Sequence, residues 1–140
     1  MTVRLGYACI NMSLAERKPE KVSCNRGMIK RTFLAKGITY ASELALKNSM
    51  DLIKIIAWNN EQGVKVFRMT SCLFPWASEY ELEDLPHWEQ IQINLKKVGA
   101  YAKHCGIRLS FHPGPFGGVD HMNRAALAKI QGNVAAGAMI

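Results

Sequence analysis

One stretch, residues 107–116, constrains the fold of this chain more than any other. Within it, the apolar side chains of Leu109 and Phe111 alternate with the polar side chains of Ser110 and His112. A period of two predicts a β-strand. The next residue is a proline, which lacks the N–H that a β-ladder needs, and the Gly-Pro pair after it forces a turn. The sequence therefore predicts a strand that ends at His112.

Two further strand patterns precede this one, and a helical pattern lies between successive strands. The predicted strands are 2–9, 64–70 and 107–112, and the predicted helices are roughly 40–60 and 87–105. Strands that alternate with helices favour a parallel sheet with right-handed crossovers, so the expected fold class is α/β. In such sheets the carboxyl ends of the strands carry the chemistry, which places Asn11 and His112 at one rim.

The connection between the first strand and the first helix, residues 13–37, is predicted to be irregular and is strongly basic. Among its charged side chains, Glu16 and Glu20 are the only acids. The whole chain has a formal net charge of +7, which favours a polyanionic partner such as nucleic acid. The connection is therefore either a loop that contacts phosphate groups or a solvated, mobile loop.

The four cysteines indicate a reducing compartment. They are Cys9, Cys24, Cys72 and Cys105, and no two of them form a C-x-x-C pair, which argues against a zinc ribbon or a redox dithiol. We expect reduced thiols in a cytoplasmic protein. No apolar segment reaches the length of a membrane span, so no membrane partner is expected.

Short motifs along residues 2–116 occur in an order and at spacings that one enzyme family shares. They are Arg4-Leu5-Gly6-Tyr7 with Asn11, Lys30-Arg31-Thr32-Phe33, Trp58-Asn59, Phe67-Arg68 with Ser71, Leu73-Phe74-Pro75-Trp76, Ser78-Glu79-Tyr80, and Arg108 through Phe116. In combination, they make the chain resemble the UV damage endonuclease family. The tail, residues 117–140, does not match, so we expect an N-terminal part at 1–116 and a non-family tail. In that tail the pattern predicts a short helix at 125–131 and no regular structure after it.

The resemblance implies a fold and a reaction. The fold is a partial TIM barrel of the xylose-isomerase-like kind, comprising roughly the first three β/α units with parallel strands, because a full barrel needs about 250 residues. The reaction is hydrolysis of the phosphodiester immediately 5′ of a damaged nucleotide during DNA repair. A divalent metal cluster, most commonly Mn²⁺, would lower the pKa of a bound water at the carboxyl rim.

The resemblance also assigns roles to individual residues. The positions that would contact DNA at the lesion are Tyr7, Asn11, Pro115 and Phe116, the last two as a wedge that unstacks bases. His112 matches a metal ligand, although a single histidine at a strand end is often only an ordinary hydrogen-bonded group. Cys72 stands where some members have a histidine. No catalytic residue is assigned, because the family's other ligands have no counterparts in residues 117–140.

Three functions therefore remain open. The first is a UV damage endonuclease, present here as a truncated and inactive fragment. The second is a non-enzymatic, basic DNA-binding fragment. The third is another metal-dependent TIM-barrel enzyme, such as a sugar isomerase or an abasic-site endonuclease. The expected partner is damaged double-stranded DNA, together with either a chain that supplies the rest of the barrel or a second copy that pairs with an unpaired strand edge.

Overall fold

The computed structural model describes residues 6–16, 21–70, 73–111 and 124–138, and within them three strands alternate with helices. The elements are β1 (Gly6–Ala8), α1 (Met12–Ala15), α2 (Lys30–Glu61), β2 (Val66–Met69), α3 (Trp88–Cys105), β3 (Arg108–Phe111) and α4 (Arg124–Ala138). Two short 3₁₀ turns, Ala77–Glu79 and Leu82–Asp84, lie between β2 and α3. The predicted α/β class is confirmed.

The three strands form one parallel sheet in the order β1-β2-β3, as predicted. Tyr7 is paired with Phe67, and Phe67 with Leu109, so these three side chains lie on the same face of the sheet. That face packs on the helices, and Phe67 is fully buried there. The opposite face, which carries Arg68 and Ser110, is exposed. The predicted division of β3 into an apolar side and a polar side is therefore confirmed over the described residues.

Helix α2 begins about ten residues earlier than the predicted helix. The segment 13–37, predicted to be irregular, contains part of α1 and the first turns of α2. Gly37 has φ +66°, and it divides α2 into two helical parts. Glycine adopts this left-handed conformation without the steric cost that other residues meet. A break of this kind disrupts the 3.6-residue period, which is why the sequence pattern indicated a helix only after it.

Helix α4 is also longer than predicted. A short helix was expected at 125–131 with no regular structure after it, but α4 continues to Ala138. It packs on α3, and Ile130 and Val134 complete the hydrophobic core. An ion pair between Lys129 and Glu83 joins α4 to the second 3₁₀ turn. Within the described residues, no helix is long and apolar enough to cross a bilayer.

Candidate functional site

The carboxyl end of β1 turns sharply and brings Asn11 back over the strand. Cys9 adopts a left-handed conformation with φ +65°, which ends the strand. Asn11 then caps α1, since its Oδ1 accepts a hydrogen bond of 2.9 Å from the backbone N–H of Leu14. The side chain of Asn11 is 4% exposed. The amide of Asn11 is therefore fixed in position by the start of α1.

A chain of hydrogen bonds, which we call the tyrosine network, joins Asn11, Tyr7 and Asn59. Asn11 Nδ2 donates to the Tyr7 hydroxyl at 2.7 Å, and that hydroxyl donates to Asn59 Oδ1 at 2.5 Å. The direction of the chain follows from its first link. Because the N–H of Leu14 can only donate, Asn11 must present its oxygen to Leu14 and its nitrogen to Tyr7.

The ring of Tyr7 is held between two other aromatic rings. Its centroid lies 5.0 Å from that of Phe67 and 6.4 Å from that of Trp58, the latter in an edge-to-face arrangement. Burial raises the pKa of the Tyr7 hydroxyl above its ordinary value, and the hydrogen bond from Asn11 opposes that shift only in part. The hydroxyl therefore stays protonated at neutral pH and keeps its donor role toward Asn59.

Asn59 ends the network with an unused donor. Its side chain is fully buried, and its Nδ2 has no hydrogen-bond partner within the part of the chain that the structure describes. Asn11 Nδ2 carries a second hydrogen beyond the one given to Tyr7. Among the described residues, the network therefore leaves amide hydrogens of two buried asparagines unused, whereas the oxygen of Asn11 is already bonded to Leu14.

Residues 21–29, the middle of the basic connection, are held against α2 by hydrogen bonds and an ion pair. Asn48 on α2 accepts from the N–H of Arg26 at 3.0 Å and donates to the carbonyls of Arg26 and Leu73 at 3.2 and 2.9 Å. The guanidinium of Arg26 forms an ion pair of 2.6 Å with Asp51, which Lys54 also contacts at 3.4 Å. The charge of Arg26 is therefore committed to the fold.

Cys24 anchors the same connection beneath β1. Its Sγ donates to the carbonyl oxygen of Cys9 at 3.5 Å. Burial is the main reason that the pKa of the Cys24 thiol is raised to about 12, so the thiol remains protonated and can keep donating. None of Cys9, Cys24 and Cys105 forms a disulfide with another residue that the structure describes.

The structure brings together two of the predicted site residues. Tyr7 and Asn11 are directly hydrogen-bonded. The other predicted positions, His112, Pro115, Phe116 and Cys72, lie outside the described residues.

A metal site cannot be built from the described residues. No three histidine, cysteine, aspartate or glutamate side chains in ranges 6–16, 21–70, 73–111 and 124–138 lie close enough to share an ion. The carboxylate of Asp51 is committed to Arg26 and Lys54, and the oxygen of Asn11 to Leu14. The described part of the chain therefore does not by itself provide a metal site.

Asn48 and Asn59 were not among the predicted site residues, although Asn59 belongs to one of the motifs that carry the family resemblance. Both are fully buried on α2, at positions where the helical period calls for apolar side chains next to Ala45, Leu52 and Ile56. A buried amide on an apolar face needs a partner, because an unpaired polar group is costly in the protein interior. Asparagines on the apolar stripe of a helix were the signal that could have identified them.

We expect Tyr7→Phe to lower the free energy of unfolding by about 1–3 kcal/mol. The substitution keeps the ring packing but removes the hydroxyl, so Asn59 Oδ1 loses its donor and Asn11 Nδ2 loses its acceptor. Urea unfolding followed by tryptophan fluorescence measures the change. The control is Tyr40→Phe, which keeps an aromatic ring under Lys36 and should change stability by less than about 0.5 kcal/mol. Equal stabilities for the two variants would contradict the network.

Comparison with known proteins identifies the family. The model of the UV-endonuclease UvdE family matches residues 3–125. A putative UV-damage endonuclease of Acanthamoeba polyphaga mimivirus is 36% identical over 115 residues, covering 81% of this chain and 34% of that protein. A UV-damage endonuclease of Schizosaccharomyces pombe is 38% identical over 117 residues, covering 81% of this chain and 18% of that protein. This chain therefore spans about a third or less of these relatives.

A solved structure supports the fold. The crystal structure of SacUVDE matches 99% of this chain and 47% of that chain, with a TM-score of 0.68 and 19% sequence identity. The predicted partial TIM-barrel fold, with three parallel strands and their helices, is thereby confirmed. Since the family model covers most of the sequence and independent relatives match the same region, this chain belongs to the UV-endonuclease UvdE family.

Proposed function

We propose that this chain forms the first three β/α units of a UV-damage endonuclease, which hydrolyses the DNA phosphodiester 5′ of a damaged nucleotide. The observation that carries the proposal is the hydrogen-bonded pair of Tyr7 and Asn11 at the carboxyl end of β1. These are the positions at which the family places residues beside the lesion. Relatives from a virus and a yeast that match the same region are named as UV-damage endonucleases.

The lesion contact proposed for Tyr7 and Asn11 uses donors rather than acceptors. The oxygen of Asn11 is occupied by the N–H of Leu14, whereas its Nδ2 has a hydrogen left. That hydrogen can bond an exposed base edge or a phosphate oxygen. Pro115 and Phe116 remain the proposed wedge, which unstacks the duplex at a lesion where extrusion of the base is easiest.

Hydrolysis belongs, in this proposal, to the longer protein. A divalent metal, most commonly Mn²⁺, would activate the attacking water there, with His112 as one ligand. No three histidine, cysteine, aspartate or glutamate side chains among the described residues lie close enough to share an ion, and a single imidazole does not hold a hydrolytic metal. We therefore propose that residues 1–140 by themselves bind DNA in the cytoplasm without cutting it, and that the rest of the barrel comes from further sequence or a second chain.

We expect residues 1–140 to bind duplex DNA with micromolar or weaker affinity that falls steeply with salt, because phosphate contacts alone give about that strength. Fluorescence anisotropy with one labelled duplex, unirradiated and UV-irradiated, measures the affinity at several salt concentrations. We expect the two forms to differ by less than about threefold, because phosphate contacts do not read the lesion. Incubation of the irradiated duplex with Mn²⁺ should give no nick, and a parallel reaction with a chelator is the control.

Two results would contradict this proposal. Failure to bind either duplex at low salt would remove DNA as the partner. Metal-dependent cutting that disappears in His112→Ala would mean that residues 1–140 already contain a complete active site.

A further inference from the structure

We propose that the first part of α2, Lys30–Lys36, is an arm that binds the phosphate backbone of duplex DNA regardless of whether the DNA is damaged. This inference rests on the proposed function and deepens it, since it separates general duplex binding from lesion contact. The α2 arm would hold the duplex, and the tyrosine network would face the lesion. The proposed DNA-binding surface consists of the side chains of Lys30, Arg31 and Leu34, and Ile29 lies next to it.

The α2 arm displays cations and aliphatic side chains on the same surface. At 3.6 residues per turn, Lys30, Arg31 and Leu34 fall within an arc of about 100° on one side of the helix. All three are exposed. Leu34 and Ile29 are 72% and 68% exposed, the highest values among the large hydrophobic side chains that the structure describes. Exposed aliphatic residues next to basic ones are typical of an interaction surface.

The side of the α2 arm that carries Phe33 is fixed to the rim. Phe33 stacks flat on Trp76, with ring centroids 5.1 Å apart and an interplanar angle of 3°. The indole N–H of Trp76 donates to the carbonyl of Met28 at 2.8 Å, just before the arm begins. Trp76 follows β2, so this contact places the arm at the carboxyl edge of the sheet. The exposed side is therefore held in a defined orientation.

The positive charges of Lys30 and Arg31 do not stabilise the folded chain. Lys30 and Arg31 lie in the first turn of α2, where the helix dipole disfavours positive charge. The first turn contains no acidic residue, and Ile29 at the N-cap offers no side-chain cap. None of the ion pairs formed among the described residues involves Lys30 or Arg31. A bound polyanion would compensate these charges.

Duplex DNA fits this surface better than a second copy of the chain. Proteins that approach the minor groove combine basic side chains on phosphates with leucine or isoleucine against sugars and base steps. A second copy would bring the same two cations against each other, and like charges at an interface are unfavourable. The net charge of +7 adds long-range attraction for DNA and repulsion between copies.

The test compares two charge reversals of equal size. Lys30→Glu/Arg31→Glu alters the α2 arm, and Lys96→Glu/Lys97→Glu alters two exposed, adjacent lysines on α3. We expect the arm variant to weaken binding of undamaged and irradiated duplex equally, by about tenfold or more, and to lower the log–log salt slope by about two. The control should lose less than about threefold in affinity, because it changes only the distant field.

The design also separates lost binding from lost folding. Glutamates in the first turn of α2 interact favourably with the helix dipole, so the arm variant should be at least as stable as the wild type in urea. Weaker DNA binding by a protein that is no less stable would then be a property of the surface. If the arm variant unfolds more easily, or binds no more weakly than the control, the inference is wrong while DNA binding by the wild type still supports the proposed function.

A third variant addresses the aliphatic side chains. Leu34→Ser should weaken duplex binding about three- to tenfold without changing the salt slope, because no phosphate contact is lost. Light scattering on the same samples tests the alternative occupant. A wild-type dimer that Leu34→Ser converts to a monomer, with unchanged DNA affinity, would assign this face to a second copy and overturn the proposal.

Discussion

Replacing Gly99 or Gly137 with alanine is expected to separate α4 from α3 and to lower the free energy of unfolding by about 3 kcal/mol or more. A Cβ at Gly99 would lie 1.8 Å from the carbonyl oxygen of Val134, and one at Gly137 would lie 1.9 Å from that of Lys96. Both obstacles are backbone atoms, which cannot rotate away. The helices would have to move apart, and Ile130 and Val134 would leave the core.

Gly132 provides the matched control for this prediction. It lies on the same helix, and a Cβ there would meet no atom within 4 Å. Gly132→Ala should therefore raise stability by about 0.5–1 kcal/mol, because alanine favours the helix over glycine. Urea unfolding followed by far-UV circular dichroism compares the variants. If all three alanine variants are stabilised, α4 does not pack on α3 as the structure has it.

Asn48→Ala is expected to lower the free energy of unfolding by about 3 kcal/mol, the second large effect. The substitution removes three hydrogen bonds at once and leaves the N–H of Arg26 and the carbonyl of Leu73 without their partner. The same residue also joins the segment before the α2 arm to the segment before Trp76. We therefore expect weaker duplex binding as well, through loss of the arm's orientation.

Hydrogen exchange provides the local measurement for Asn48→Ala. The backbone amide of Arg26 should exchange faster in the variant, since its acceptor is gone. The control is Asn60→Ala, an exposed asparagine on the same helix, which should cost less than about 0.5 kcal/mol. A loss below 1 kcal/mol with the Arg26 amide still protected would mean that other contacts hold the connection.

Local pattern alone determined several elements of this protein. The strand at 64–70 and the helix at 87–105 were predicted within one or two residues at most ends, as was the alternation in β3. These signals depend on one side chain facing the core and the next facing water, which neighbouring residues in the sequence already reveal. The parallel order of the strands follows from the helices between them.

The helix boundaries that were wrong depended on contacts between distant segments. The helical segment Lys30–Lys36 is held by the stacking of Phe33 on Trp76, more than forty residues away in the sequence. Gly37 interrupts the helical period between this segment and the rest of α2. Residues 132–138 contain two glycines and little apolar period, yet they are helical. Their small side chains allow α4 to approach the backbone of α3, and that close approach is visible only when both helices are in place.

The candidate site also contains residues that the sequence predicted and a residue that only the tertiary structure revealed. The sequence, through a family resemblance, predicted Tyr7 and Asn11 at one rim and DNA as the partner. Only the tertiary structure decided that Asn59, 52 residues beyond Tyr7, completes their hydrogen-bond network. The physical reason is that a hydrogen bond needs its two atoms within about 3 Å. The folding of α2 against the sheet creates that proximity, and no spacing along the chain encodes it.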